Sequence, residues 1–222
     1  MIMSLRSLFR GIIFFIERPK LAIFITGVMS LIPAAIFIFI SVRYVLGNLS
    51  PVDLNAPDCD FASITNYSRV SGNAYTAWGY FSIKSNGEYL YYYLVPQFDD
   101  PSNPQYFDKM LVVLIEPESK SFWNNATSGT KKWYTHTAPK PSTPIKVDGY
   151  AHDMTPLVKS NAIEYLKSCG FSYEDAEKIL VPYTVVYDKA SAYSSFSFGG
   201  LFALVSIVCF AVWIKKGMNF RD

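Results

Sequence analysis

The chain has 222 residues, half of them hydrophobic, and a formal net charge of +2. The charge is unevenly spread, since residues 47–197 hold 16 acidic and 12 basic side chains, a net charge of −4. A nucleic-acid-binding domain is expected to present a basic patch, so this balance argues against nucleic acid as a partner.

Two apolar stretches flank that acidic segment, at residues 21–45 and 198–214. A helix needs about 20 predominantly apolar residues to cross a bilayer, so the sequence predicts two membrane spans, the second only just long enough. The core of neither span contains Asp, Glu, Lys, Arg or His, and this argues against a transporter or channel built from this chain alone.

The basic residues near the chain ends predict the topology. They are Arg6, Arg10, Arg18 and Lys20 before the first span, and Lys215, Lys216 and Arg221 in the tail at residues 215–222. Lys and Arg collect in short cytoplasmic flanks. Both termini are therefore expected in the cytoplasm and residues 47–197 outside it. The first stretch is longer than the apolar region of a signal peptide, so it is interpreted as an uncleaved anchor.

Residues 1–20 are predicted to form an amphipathic cytoplasmic segment. Apolar residues recur there at helical spacing, at Ile2, Leu5, Phe9, Ile12 and Ile16. Such a helix lies in the membrane interface, either as an anchor or to recruit a cytoplasmic partner. Pro19 is expected to break it before the first span begins.

Both predicted spans carry a row of small residues at helical spacing. The rows are Gly27, Ser30 and Ala34 in the first span, and Gly199, Ala203 and Ser206 in the second. Small residues let helices approach closely in lipid. The spans are therefore expected to pack against each other, against a second copy, or against a partner.

The segment between the spans is predicted to form one α+β domain, because its many aromatic residues favour strands. Residues 48–72 resemble a linker, and a hairpin is predicted with strands at 74–84 and 88–97 around Ser85-Asn86-Gly87. Further predicted elements are a loop at 98–107, strands at 109–115, 144–150 and 183–187, a poorly periodic stretch at 117–143, and two helices that begin at Thr155 and Ser172. We expect an antiparallel sheet or a small, OB-like barrel with two C-terminal helices.

The predicted hairpin concentrates aromatic side chains: Trp78, Tyr80, Tyr89, Tyr91 and Tyr93. Exposed tyrosine and tryptophan side chains contribute much of the energy of protein interfaces. These residues therefore indicate either a recognition surface or ordinary sheet packing.

No motif in the sequence indicates catalysis. His136, His152 and Asp153 could share a metal ion, and Asp99, Asp100, Asn103 and Asp108 could hold calcium. Neither spacing matches a known metal-binding pattern, however. A nucleophile elbow and a glycine-rich phosphate loop are both absent from the sequence. We therefore predict no catalytic residue and no cofactor.

Two cysteines lie in the predicted domain, Cys59 and Cys169, while Cys209 lies in the second span. Cys59 and Cys169 are read either as a disulfide or as separate thiols. Glycosylation sequons occur at Asn48, Asn66 and Asn125. The two-span layout and the few cysteines favour a bacterial source, in which these sequons would be unused.

These observations favour a two-span membrane protein whose extracytoplasmic domain is a non-enzymatic binding or accessory module. Its partner would be a membrane or envelope protein, or a second copy of the chain. The alternative is a sensor that passes a ligand signal through the paired spans. An exported enzyme is the third hypothesis.

Overall fold

A computed structural model describes residues 19–56, 59–100, 103–187 and 189–216. The helices are α1 (Pro19–Leu49), α2 (Lys120–Tyr134), α3 (Pro156–Ser168), α4 (Tyr173–Ile179) and α5 (Lys189–Lys215). The strands are β1 (Val52–Asp53), β2 (Arg69–Ala74), β3 (Gly79–Ser85), β4 (Glu88–Asp100), β5 (Asn103–Ile115), β6 (Ile145–Asp153) and β7 (Leu180–Val186). Short 3₁₀ turns occupy Phe61–Ser63 and Pro117–Ser119.

Two of the helices could cross a membrane by length and composition. Apolar windows of α1 and of the Tyr193–Lys215 part of α5 have mean hydropathies of 2.5 and 2.2. The described part of helix α1 runs from Pro19 and includes Pro33. The predicted amphipathic segment lies almost wholly outside the described residues.

The chain divides into two units. One contains α1 up to Val42 and α5 from Ala190, and the other is Arg43–Lys189. The second unit, called the domain below, therefore includes the last turns of α1.

The domain is built on one mixed sheet of seven strands in the order β1-β2-β6-β7-β5-β4-β3. The sheet is not purely antiparallel as expected, because β1 runs parallel to β2 and β5 runs parallel to β7, while the other neighbouring strands are antiparallel. The expected OB-like barrel is wrong, because the sheet is open between its edge strands β1 and β3. A barrel requires the two edge strands to pair with each other.

Both faces of the central strands are buried. On one face, Tyr93, Leu111 and Val113 pack with Trp123 of α2. On the other face, Leu94, Met110 and Val112 pack with α3 and α4. This explains the continuous apolar run of β5, which strands covered on both faces usually show.

Three segments differ from the expectation. Helix α2 lies in the stretch that looked aperiodic, where its buried residues Trp123, Ala126, Thr130 and Trp133 do follow helical spacing. Strand β2 lies in the presumed linker and pairs with β6. The presumed loop at 98–107 extends the hairpin of β4 and β5, which pair as far as Asp100 and Asn103.

The predicted helix starts in the C-terminal part of the domain are confirmed. The Thr155 hydroxyl accepts a hydrogen bond from the Val158 amide at 3.3 Å. The Ser172 hydroxyl accepts one from the Asp175 amide at 3.1 Å. Both residues are therefore N-caps, satisfying amides that have no partner within the helix.

Candidate functional site

The hairpin of β3 and β4 aligns the tyrosines that the sequence singled out. Its turn consists of Asn86 and Gly87, with φ of 50° and 90°, and two positive φ values are typical of a tight type I′ hairpin. The turn fixes a register in which Tyr80 lies opposite Tyr93 and Ser82 lies opposite Tyr91. Lys84 lies opposite Tyr89 in the same register, so these six side chains share one face of the sheet.

The outer part of that face is accessible to solvent. Tyr80 is 37% exposed and Tyr89 is 54% exposed, while Tyr91 is half-buried. We call Tyr80, Tyr89 and Tyr91, with Lys84 and Lys120, the tyrosine surface.

Two lysines lie over these aromatic rings. Lys120 Nζ is 3.7 Å from the ring centroid of Tyr91 and 5.3 Å from that of Tyr80. Lys84 Nζ is 5.9 Å from the ring centroid of Tyr89. Such cation–π contacts hold an ammonium group against the ring face. The tyrosine surface therefore combines aromatic area with positive charge.

Tyr93 supports this surface from beneath. It is fully buried, and its ring stacks on Tyr80 with 5.0 Å between the centroids. Its hydroxyl donates to Asn124 Oδ1 of α2 at 2.7 Å. Burial, followed by the neighbouring Tyr80 and Tyr91, raises the pKa of Tyr93 to about 12. The hydroxyl is therefore neutral at ordinary pH and works as a structural donor.

The five aromatic residues that the sequence indicated as a possible recognition surface lie in different environments. Trp78 lies away from the tyrosine surface, where its ring contacts Phe107 and Tyr134 at centroid distances of 5.1 Å and 5.0 Å. Tyr93 is core. Tyr80, Tyr89 and Tyr91 are the three whose side chains reach the surface.

Strand β3 is also an edge of the sheet, with β4 as its neighbour. Ser85 and Glu88 close a two-residue turn and so form a hydrogen-bonded pair. Along an antiparallel ladder, hydrogen-bonded pairs alternate with non-hydrogen-bonded pairs. The backbone groups of Ile83 and Phe81 therefore also bond to β4. The amide and carbonyl groups of Tyr80, Ser82 and Lys84 therefore point away from β4, towards the open edge.

Among the cavities lined by described residues elsewhere in the domain, two border the sheet. One of about 650 Å³ lies beside the C-terminal half of β4, with Asp108 and Lys140 among its lining residues. Gln97 lines it too, but its side chain is already bonded to the Phe61 amide and the Cys59 carbonyl. The other cavity, about 240 Å³, lies at the carboxyl ends of β5 and β7 and includes Lys146 and Asp148.

In the described part of the chain, the residues weighed as possible metal ligands form no metal-binding group, and the two cysteines of the domain are separate thiols. Among the described residues, no three His, Cys, Asp or Glu side chains are grouped to hold a metal ion. The side chains of Asp99, Asp100 and Asn103 lie outside the described part. Cys59 and Cys169 are not bonded to each other, because Cys59 packs at the edge of the core beneath α2 whereas Cys169 is exposed at the end of α3.

Within the unit that contains α1 up to Val42 and α5 from Ala190, the small residues lie where the two helices meet. A methyl group added at Gly27 would lie 3.2 Å from Cys209 Cβ, and one added at Gly199 would lie 3.2 Å from Phe37 Cβ. The others differ in burial: Ser30, Ala34 and Ser206 are buried and Ala203 is half-buried. The rows identified from the sequence therefore lie on the contact faces of α1 and α5.

Sequence reasoning missed a second group of aromatic residues, which includes Tyr44 near the C-terminal end of α1. Tyr44 is only 3% exposed, and its ring contacts Tyr67, Tyr150 and His152 at centroid distances of 5.1, 4.8 and 6.0 Å. Asn48 Nδ2 donates to the Tyr150 hydroxyl at 2.8 Å. We call these five residues the helix-end cluster.

A close backbone contact accompanies the helix-end cluster. A methyl group added at Gly47 would lie 2.1 Å from the carbonyl oxygen of Tyr67. Next to it, Arg69 and Asp148 form an ion pair at 3.0 Å in which the aspartate is almost buried. The last turns of α1 are therefore an integral part of the domain. The spacing of Tyr44 and Asn48, one helical turn apart, was the available signal.

The sequence matches no family model and none of the curated proteins with which it was compared.

Proposed function

We propose that this is an integral membrane protein with both termini in the cytoplasm, whose extracytoplasmic domain is a non-enzymatic module that binds a membrane or envelope protein. The observation that carries the proposal is the tyrosine surface, with Tyr80 and Tyr89 exposed on an edge strand. The supporting evidence for the membrane anchorage is the pair of long apolar helices and the basic residues outside the predicted spans.

The chemistry of the tyrosine surface favours an acidic protein segment as the partner. Tyrosine rings provide large contact areas at interfaces. Lys84 and Lys120 lie against those rings, so they offer positive charge next to apolar area. A partner segment with carboxylates beside an apolar side chain would satisfy both features.

The proposal is tested by affinity capture of full-length protein from native membranes in mild detergent, followed by quantitative mass spectrometry. The test variants are Tyr89→Ala and Lys120→Glu, and Lys120→Glu is compatible with the first turn of α2, where negative charge is favourable. Tyr173→Ala is the matched control, because Tyr173 and Tyr89 are each 54% exposed and Tyr173 lies on α4.

We expect a partner that is recovered with wild type and with Tyr173→Ala, and depleted about tenfold or more with the two test variants, which corresponds to about 1.4 kcal/mol of binding free energy. Recovery of the same proteins with all four chains would contradict the tyrosine surface as the binding site. Wild type and the three variants should have the same midpoint of thermal unfolding. A variant that loses the partner is then shown to be folded.

A sensor is the second candidate, and the helix-end cluster is the observation that favours it. Tyr44, Gly47 and Asn48 pack within the domain, and they belong to the same uninterrupted helix that is described from Pro19. A shift of the sheet at Tyr67 or Tyr150 would therefore act directly on α1.

Hydrogen exchange distinguishes the sensor from a passive accessory protein. The Tyr67 amide donates to the Ala151 carbonyl at 2.7 Å, and the Ala151 amide donates to the Ser68 carbonyl at 2.9 Å. If the captured partner changes the helix-end cluster, these two amides should exchange at altered rates in the complex. Unchanged rates, with protection limited to β3 and β4, would eliminate the sensor.

A further inference from the structure

The open edge of β3 has a sequence that complements itself when a second copy runs antiparallel to it. The strand reads Gly79-Tyr-Phe-Ser-Ile-Lys-Ser85. Its three outward-bonding residues are Tyr80, Ser82 and Lys84, and Ser82 is the middle one. A two-fold axis through Ser82 therefore pairs each outward residue of one copy with an outward residue of the other.

We propose that two copies of this chain associate edge to edge through β3, in the register that places Ser82 opposite Ser82 of the second copy. In this register Tyr80 lies opposite Lys84 of the second copy, and Lys84 lies opposite its Tyr80. Each of these outward pairs can exchange both amide-to-carbonyl hydrogen bonds. Antiparallel registers shifted from Ser82 leave at least one outward residue without an outward counterpart.

The side chains are complementary on both faces of this joint. On the face of the tyrosine surface, Lys84 meets the aromatic ring of Tyr80, a cation–π pairing. On the opposite face, Phe81 meets Ile83, an aromatic and a β-branched side chain that pair favourably across strands.

Charge also selects this register. A lysine on an edge strand usually discourages pairing with another strand, and a register centred on Lys84 would place two ammonium groups opposite each other, which is unfavourable. Centring on Ser82 removes that repulsion and places the smallest outward side chain at the two-fold axis. The exposed Ser82 and Lys84 side chains are therefore compatible with pairing in this single arrangement.

The pairing joins the tyrosine surfaces of the two copies into one surface that continues across the axis. Tyr89 stays outside the joint, because it lies on β4, which β3 separates from the open edge. The dimer therefore does not depend on the partner protein proposed above. Loss of dimerisation and loss of partner capture can be scored separately with different variants.

Cysteine cross-linking in native membranes tests the register. In full-length protein with the three native cysteines replaced by alanine, Ser82→Cys should form a disulfide-linked dimer on mild oxidation. Hydrogen-bonded antiparallel partners have Cα atoms about 5.5 Å apart, within disulfide range. Ser85→Cys is the matched control on the same strand, because the two Ser85 positions would be separated by six residues, about 20 Å.

A Ser82→Cys dimer with no Ser85→Cys dimer is the expected result. Equal cross-linking of both variants, or of neither, overturns the proposal.

If the cysteine-free background does not fold, a second experiment measures the molecular mass of the protein with its native cysteines in detergent. We expect a dimer for wild type and for Ser82→Ala, and a monomer for Ser82→Pro, which removes an outward amide without breaking a bond to β4. A monomeric wild type, or a Ser82→Pro dimer, overturns the proposal.

Discussion

The domain uses tyrosine in two opposite ways, in the helix-end cluster and in the tyrosine surface. In the helix-end cluster, Tyr44 is 3% exposed and the Tyr150 hydroxyl is bonded to Asn48. In the tyrosine surface, Tyr80 and Tyr89 keep 37% and 54% of their area exposed. The residue type is the same, so the difference comes from what covers each ring. A helix covers the first group, whereas the second borders an open strand edge.

This comparison predicts that the helix-end cluster determines stability and the tyrosine surface determines binding. Buried aromatic groups lose packing and hydrogen bonds when they are altered, whereas exposed ones usually change stability by less than about 0.5 kcal/mol. The three predictions below run from the largest expected effect to the smallest.

Gly47→Ala should destabilise the domain most. Its new methyl group would lie 2.1 Å from the Tyr67 carbonyl oxygen, which is backbone and cannot rotate away. Overpacking of this kind costs about 1–3 kcal/mol, and a backbone clash lies at the upper end of that range. Thermal unfolding in detergent measures the effect. Gly200→Ala is the control, because nothing lies within 4 Å of its added carbon, and an unchanged midpoint for Gly47→Ala would refute the close packing of α1.

Tyr150→Phe should cost about 1–2 kcal/mol, because it removes the hydroxyl that accepts a hydrogen bond from the Asn48 amide. Tyr89→Phe, at an exposed ring, should be neutral within about 0.5 kcal/mol. A double-mutant cycle of Tyr150→Phe with Asn48→Ala checks the assignment. The two effects should be strongly non-additive, since both remove one contact, and simple additivity would show that the contact contributes nothing.

Tyr93→Phe should have the smallest effect at neutral pH, about 1 kcal/mol for the lost bond to Asn124. The substitution should change the stability of the domain more clearly at alkaline pH. An unfolded tyrosine ionises near pH 10, and the folded Tyr93 hydroxyl has a pKa of about 12. The stabilisation is therefore complete below about pH 10 and is lost as the pH rises towards 12.

The Tyr93→Phe protein should accordingly lose less stability than wild type between pH 10 and pH 12. Unfolding midpoints measured across that interval, with Tyr89→Phe as the exposed control, provide the readout. Parallel losses in wild type and Tyr93→Phe would mean that the Tyr93 hydroxyl is not protected from ionisation by the fold.

Local signals in the sequence were sufficient for several elements. The Asn86-Gly87 turn, the N-caps Thr155 and Ser172, and the two apolar helices each follow from a few neighbouring residues. Helix α2 was missed because Gly129 and many polar residues interrupt a helix whose apolar residues lie on one side. Strand β2 was missed because its partner β6 is about 75 residues away in sequence, and no local pattern records such a pairing.

The candidate site was predictable only as a list of aromatic residues. Trp78 and Tyr93 belong to the same predicted hairpin as Tyr80 and Tyr89. Trp78 and Tyr93 are more buried, because of the pleating of the sheet and the positions of α2, α3 and α4. For the helix-end cluster, the sequence offered only the one-turn spacing of Tyr44 and Asn48, because Tyr44 and His152 belong to segments that come together only when β6 enters the sheet.

By itself, the sequence determined that two long apolar helices flank one α+β segment, because hydropathy and the spacing of apolar residues act over short distances along the chain. The tertiary structure alone decided that the sheet is open, that β7 lies between β5 and β6, and that β3 is an edge. It also decided which tyrosines are covered. Strand order and burial depend on contacts between distant residues, whose free energy is set by the whole packed core rather than by any local segment.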